Sequence, residues 1–295
     1  MKRICKRKVV IDALTMCFQV EKQYFIEEIS QLDFGESYDF GEFTVIRVEG
    51  RYYQNIYNIE CCNGQETILW GQLKFNLNSG NRDSNIHSNG TTKVWISIHN
   101  KTLYTNDIHY LDYIATSLGL IPNNITTLDL ALDTPFNVSR KLRNHIKNKN
   151  LTTILNGKVV KDRAEDRHEI MYTTSGNLDK DKYQTVNVKQ RNAIHDKSRG
   201  VTVTTYDKFA EINYSGKEYI LKFYGNPSKL FRTEVHLNNE DIKDYLSSKG
   251  KEFSYWTVYD EELREQMFFY HLNSVIRFQK GGENITWQHL LGRVS

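Results

Sequence analysis

Thr202-Val203-Thr204-Thr205-Tyr206-Asp207-Lys208 reads as a β-strand built from β-branched residues and a tyrosine. Alternation along a strand puts Thr202, Thr204, Tyr206 and Lys208 on one face and sends Val203, Thr205, Asp207 and Phe209 to the other. A phenol with a cation beside it can become a phenolate nucleophile, because the positive charge favours the ionised form. Tyrosine is common in strands and the chain has 18, so this segment carries weight only with its neighbours in the sequence.

Two further strands flank it in the reading. In Thr126 to Asp133, leucines 128, 130 and 132 take one face and Asp129, Ala131 and Asp133 the other. A carboxylate within so apolar a strand is costly to bury without a partner, and a metal ion is one such partner. Four residues of strand span about 13 Å, so Asp129 and Asp133 do not both reach one ion. Asp129, in mid-strand, is the candidate ligand, and Asp133, ahead of Thr134-Pro135, is expected to cap a turn. In Phe231-Arg232-Thr233-Glu234-Val235-His236-Leu237 the arginine, glutamate and histidine share a face, with Glu234 and His236 about 7 Å apart along the strand. That pair can converge on a hard divalent ion such as Mg²⁺ or Mn²⁺. Arg232 is expected to hold a phosphate or to pair with Glu234.

The rest of the chain supplies a sheet and helices. Val9 to Phe18 reads as a buried first strand, and Glu21 to Leu32 as a helix with Phe25, Ile29 and Leu32 inward. Alternating runs between Phe43 and Leu77, broken by Asn-Gly and Gly-rich turns, predict antiparallel hairpins. Asn78 to Thr92 reads as a loop, Lys93 to His99 as a strand, and Asn106 to Leu120 as an amphipathic helix stopped by Gly119. Asn137 to Lys149 reads as a basic helix that buries Val138, Leu142 and Ile146 and leaves Arg140, Lys141, Arg143, Lys147 and Lys149 mostly toward water. Val201 to Ile212, a hairpin partner at Glu218 to Tyr224, and Phe231 to Leu237 are expected to complete the sheet, ahead of helices at Asn239 to Ser248 and Asp260 to Ser274. The fold class is therefore α+β, a mainly antiparallel central sheet with flanking helices.

The totals narrow the function classes. With 295 residues, 39% hydrophobic, the chain can bury a proper core, and a net charge of +3 neither identifies nor opposes a nucleic-acid partner. Cys5, Cys17, Cys61 and Cys62 show no C-x-x-C spacing and form neither a zinc motif nor a disulfide framework. The basic start is followed by an apolar run interrupted by Asp12, so no signal peptide is expected, and no apolar stretch approaches the roughly 20 residues of a membrane span. A reducing cytoplasm, with no membrane partner, is the expected setting. No histidine-hydrophobe-histidine pair occurs, so the two-histidine metal site of many single-strand nickases is absent.

Ile11-Asp12 in the first strand, Thr126 to Ala131 as an Asp-bearing strand, Tyr206 to Lys208 as Tyr-x-Lys and Arg232 to Glu234 as Arg-x-Glu occur in this order along the chain. That order resembles rolling-circle replication initiators of the Rep_trans family and related relaxases, and more distantly the gene II proteins of filamentous phages. The resemblance covers most of the chain, while its specificity sits in few residues. It implies a Rep-nuclease-like sheet, a tyrosine nucleophile at Tyr206 assisted by Lys208, and Asp129 and Glu234 as ligands of Mg²⁺ or Mn²⁺. His236 as a third ligand goes beyond the family pattern, and Leu128 stands where plasmid members carry a polar residue. The implied reaction is a site-specific nick of one DNA strand at an origin, leaving a 5′-phosphotyrosine and a 3′-OH that host replication machinery extends. A homodimer is implied by the resemblance alone. The expected division is a catalytic domain over 1–237 and a C-terminal helical segment over 238–295. Phosphate contacts are assigned to Arg140, Lys141, Arg143 and Lys147, to Arg191, Lys197 and Arg199, and to Arg232. A conjugative relaxase shares the chemistry, and a non-catalytic DNA-binding protein on the same sheet is the rival of another class.

Overall fold

The computed structural model describes residues 8–62, 66–77, 86–87, 90–105, 107–161, 163–174, 184–190, 200–252, 257 and 259–292. The first half runs β1 (Val10–Val20), α1 (Gln23–Ser30), β2 (Ser37–Phe40), β3 (Phe43–Arg47), β4 (Tyr53–Cys62), β5 (Thr67–Leu77), β6 (Ile86–His87), β7 (Gly90–Thr91), β8 (Lys93–Ile98), α2 (Asn100–Thr105), α3 (Leu111–Ser117) and β9 (Leu120–Thr134). Then follow α4 (Val138–Lys147), β10 (Thr152–Leu155), β11 (Lys158–Val159), β12 (Ile170–Thr174), β13 (Gln184–Lys189), β14 (Thr202–Asp207), α5 (Lys208–Ser215), α6 (Glu218–Phe223) and β15 (Phe231–Asn238). The chain closes with α7 (Asn239–Ser248), α8 (Glu261–Val275), β16 (Ile276–Lys280), β17 (Glu283–Ile285) and α9 (Trp287–Leu291). Strands interleaved with helices and joined by antiparallel pairings make the chain α+β, as the periodicities predict.

The chain divides into two compact units, one of Ala13–Thr127 and the other of Leu128–Ser295 with the residues up to Asp12. In the unit of Ala13–Thr127, β3 pairs with β4, β4 with β5, β5 with β8 and β8 with β1, all antiparallel. Its core is the alternate set Phe43, Val45, Tyr57, Ile59, Leu73, Phe75, Val94 and Ile96, each with no exposed surface. Gly71 is required where β5 crosses β8, since a Cβ there would sit 2.7 Å from the Ser97 carbonyl oxygen.

The other unit carries the strand order β12-β13-β14-β15-β9 and a four-stranded sheet β11-β10-β16-β17. Across β13, β14 and β15, Val186, Val188, Val203, Thr205, Thr233, Val235 and Leu237 are wholly buried, and their alternates Asn187, Thr204, Tyr206, Glu234 and His236 are half-buried. The buried stripe of α4, Val138, Leu142 and Ile146, packs on these three strands, and α8 packs on β14 and β15. Helices α4 and α8 therefore pack on these strands, whose polar face carries Tyr206, Glu234 and His236.

Several elements differ from the sequence reading. The strand expected over 201–212 stops at Asp207, whose side chain accepts the Ala210 amide hydrogen at 2.9 Å and so caps α5, which then ends at Gly216 with φ 72°. The hairpin partner expected at 218–224 is the helix α6, a short apolar run whose pattern does not separate helix from strand. The helix expected over 106–120 is a 3₁₀ turn at Asp107–Tyr110 followed by the shorter α3, with β9 already beginning at Leu120 and a further helix, α2, ahead of the turn. Residues 238–295 include β16 and β17 besides their helices and belong to the same unit as β14 and β15. The loop read at 78–92 falls largely outside the described residues.

Candidate active site on the polar face of β14 and β15

Register builds the site. β14 and β15 pair antiparallel with Tyr206 opposite Arg232, Thr204 opposite Glu234 and Thr202 opposite His236, and β9 lies on the other side of β15. Tyr206 donates its phenolic hydrogen to Glu234 Oε2 at 3.1 Å. Lys208 Nζ donates to the same phenol oxygen at 3.4 Å, and its charge lies 5.6 Å from the ring centroid. Lys208 reaches Tyr206 from the first residue of α5 and not from continued strand alternation.

The sequence reading missed the hub beneath this pair. Arg232, with no exposed surface, grips Asp133 with Nε and Nη2 at 2.9 and 2.6 Å and pairs through Nη1 with Asp12 Oδ1 at 2.6 Å. Asp133 is therefore not a turn cap, and Arg232 is neither a phosphate ligand nor the partner of Glu234. A guanidinium sealed from solvent and bound on three nitrogens has no edge left for DNA. Asp12, read only as part of a motif, also faces Lys208 Nζ at 3.9 Å, and Lys208 is held at 2.7 Å by Glu211 Oε2. Asp129 pairs with His236, Nδ1 to Oδ1 at 2.5 Å.

Electrostatics follow from burial. Burial pushes the Tyr206 phenol well above its ordinary value, with Glu234, Asp12 and Asp133 adding to the rise and Arg232 opposing it. The Glu234 carboxyl is pushed up to about 7, first by burial and then by Asp12 and Asp129, against Arg232 and Lys208. The hydrogen bond to Asp129 raises His236, and the Asp129 and Glu234 charges add to that rise. Lys208 is lowered by burial and by Arg232, while Asp12 and Glu211 work to keep it charged. Tyr219 also feels Asp12 and Glu211, and burial with these charges pushes it up to about 12. Tyr214, on α5, is 96% exposed.

The basic residues are placed differently. Arg140 and Lys147 are exposed on α4, the helix that covers the apolar face, so they stand across the strands from Tyr206. Lys141 Nζ donates to the carbonyls of Leu290 at 2.7 Å and His289 at 3.4 Å, securing the end of α9, and Arg143 is half-buried. Arg191, Lys197 and Arg199 lie outside the described residues.

Among the described residues no group of three or more His, Cys, Asp and Glu side chains is arranged to hold a metal ion. The nearest donor set is Glu234, Asp129 and His236, in which His236 is spent on orienting Asp129. Of its carboxyls, Glu234 is lifted to about 7 first by burial and then by the Asp12 and Asp129 charges. No protein-family model matches the chain, and no characterised protein matches it in sequence.

Proposed function

We propose that this chain is a nicking and closing DNA endonuclease of the rolling-circle initiation type, with Tyr206 as its nucleophile. The observation that carries the reading is the phenol of Tyr206 set between the Glu234 carboxylate and the Lys208 ammonium, at 3.1 and 3.4 Å.

The chemistry follows from these contacts. Burial keeps the Tyr206 phenol protonated until a substrate phosphate arrives, and Glu234 Oε2 is in place to take the proton as the phenol oxygen attacks. The new bond joins the Tyr206 oxygen to phosphorus, the bond from phosphorus to the 3′ oxygen breaks, and that oxygen takes a proton from water to become a 3′-OH, the phenol proton remaining on Glu234 until it exchanges with solvent. The phosphate ester survives as 5′-phosphotyrosine, so the same residues can run the step backwards and reseal the strand. Lys208 faces the phenol oxygen and so the phosphate charge that gathers there. Asp129 and Glu234 would hold a Mg²⁺ or Mn²⁺ ion, with His236 orienting Asp129. Such an ion supplies Lewis-acid polarisation of the phosphate when bound.

The test is covalent capture. Purified protein, given Mg²⁺ or Mn²⁺ and single-stranded or supercoiled DNA carrying the flanks of its own gene, is expected to leave protein on a 5′ end, with mass spectrometry placing the nucleotide on Tyr206. An adduct that survives Tyr206→Phe, or no adduct from the wild type, overturns the reading.

A further inference from the structure

Lys208 occupies an expensive position for a charge. Its side chain is 2% exposed, and it is the first residue of α5, where the positive end of the helix dipole opposes a cation. Three groups face its ammonium: Glu211 Oε2 at 2.7 Å, the Tyr206 phenol oxygen at 3.4 Å and Asp12 Oδ2 at 3.9 Å. Asp12 is already committed to Arg232 at 2.6 Å. Glu211, three residues on along the helix, is thus the nearest anion, and its other oxygen meets Lys217 Nζ at 3.8 Å on the solvent side.

We infer that Glu211 is a positioning residue that presents the Lys208 ammonium to the Tyr206 phenol oxygen. A helix fixes the spacing of residues i and i+3, so the Glu211 carboxylate sets where Nζ stops. Without it the carboxylates left around the ammonium are Asp12, at 3.9 Å, and Glu234, and nothing fixes Nζ at its present distance from the phenol. This inference rests on Tyr206 being the nucleophile for its kinetic consequence, and its spatial content stands apart from that reading.

The experiment uses the full-length chain and two readouts. In the first, tyrosine ¹³Cζ and lysine ¹⁵Nζ resonances are recorded for wild type, Glu211→Gln and Glu211→Asp. Glu211→Gln is expected to move both the Tyr206 and Lys208 signals, and Glu211→Asp to return them part of the way. In the second, nicking by Glu211→Gln is expected to fall about tenfold in turnover, with half-saturating DNA unchanged. Glu211→Gln combined with Lys208→Ala should be no slower than Lys208→Ala alone, since the carboxylate acts only through the lysine. Unmoved resonances in Glu211→Gln, or losses that multiply in the double variant, overturn the inference. Failure of Tyr206→Phe to abolish the adduct overturns the nuclease reading instead and leaves the resonance result to decide Glu211.

Discussion

Arg232→Met removes the guanidinium that Asp12 and Asp133 share while keeping most of its bulk. Asp133 has no exposed side-chain surface and takes two of the three contacts, at 2.9 and 2.6 Å. Left with only the neighbouring Tyr224 phenol, the buried carboxylate either stays ionised or takes up a proton. The second route is the cheaper, and for a carboxyl of ordinary acidity at pH 7 it costs about 4 kcal/mol, three pH units at about 1.36 kcal/mol each. Breaking buried ion pairs in general costs a similar ~3–5 kcal/mol. Asp12 is half-buried and keeps Lys208 nearby, so it adds little. Urea denaturation at pH 7 should show the variant weaker by about 4 kcal/mol, a large share of the ~5–15 kcal/mol typical of folded domains. The native variant then binds a proton that its unfolded chain lacks, so the gap should narrow as pH falls, by about 1.4 kcal/mol per unit down to pH 5. Adding Asp133→Leu should recover much of the loss. A gap under about 1 kcal/mol at pH 7, or one that ignores pH, would refute the reasoning.

Tyr206→Phe should abolish the covalent adduct, leave DNA affinity nearly unchanged in a filter-binding assay, and lower stability by only about 1 kcal/mol for the lost hydrogen bonds. His271 is 3% exposed, neither ring nitrogen has a hydrogen-bond partner, and burial lowers it to about 4. Its folded value lies below the unfolded one of about 6.5, so stability is full above pH 6.5 and is lost as pH falls toward 4, by about 3 kcal/mol in all. Thermal melts of wild type and His271→Met across that range should show this slope in the wild type alone. Asp207→Ala should destabilise the chain by about 1 kcal/mol through the lost cap of α5, and should slow nicking as well, because the cap fixes where Lys208 leaves the strand; unimpaired nicking would separate the cap from the chemistry.

Much of the sheet was legible because alternation survives where one face is buried. Val203, Val235 and Leu237 are wholly buried, and Tyr206, Glu234 and His236 share the opposite face. The turn from β14 into α5 was hidden because Asp207 and Lys208 fit a strand pattern as well as they fit a cap and a first helical residue. Asp133 and Arg232 were misread for a related reason. Sequence shows that each is charged and near a strand end, yet the fact that they face each other is a product of how β9 and β15 are set side by side. The share of Glu211 could have been seen in its spacing of three from Lys208, had that stretch been read as helix. The basic helix was found, but its placement on the face away from Tyr206 depends on the direction of its buried stripe against β13 to β15.

The guanidinium hub ties together positions 12, 133 and 232, which lie far apart in the order of synthesis. A chain emerging from the ribosome must carry two orphan carboxylates until the strand bearing Arg232 is released, and contacts so distant in sequence form slowly. Tyr206, made before that strand, has neither Glu234 nor the hub to work with until then. Assembly around the Tyr206 phenol is thereby tied to release of the strand that bears Arg232 and Glu234, so a product truncated before that strand carries Tyr206 without these contacts.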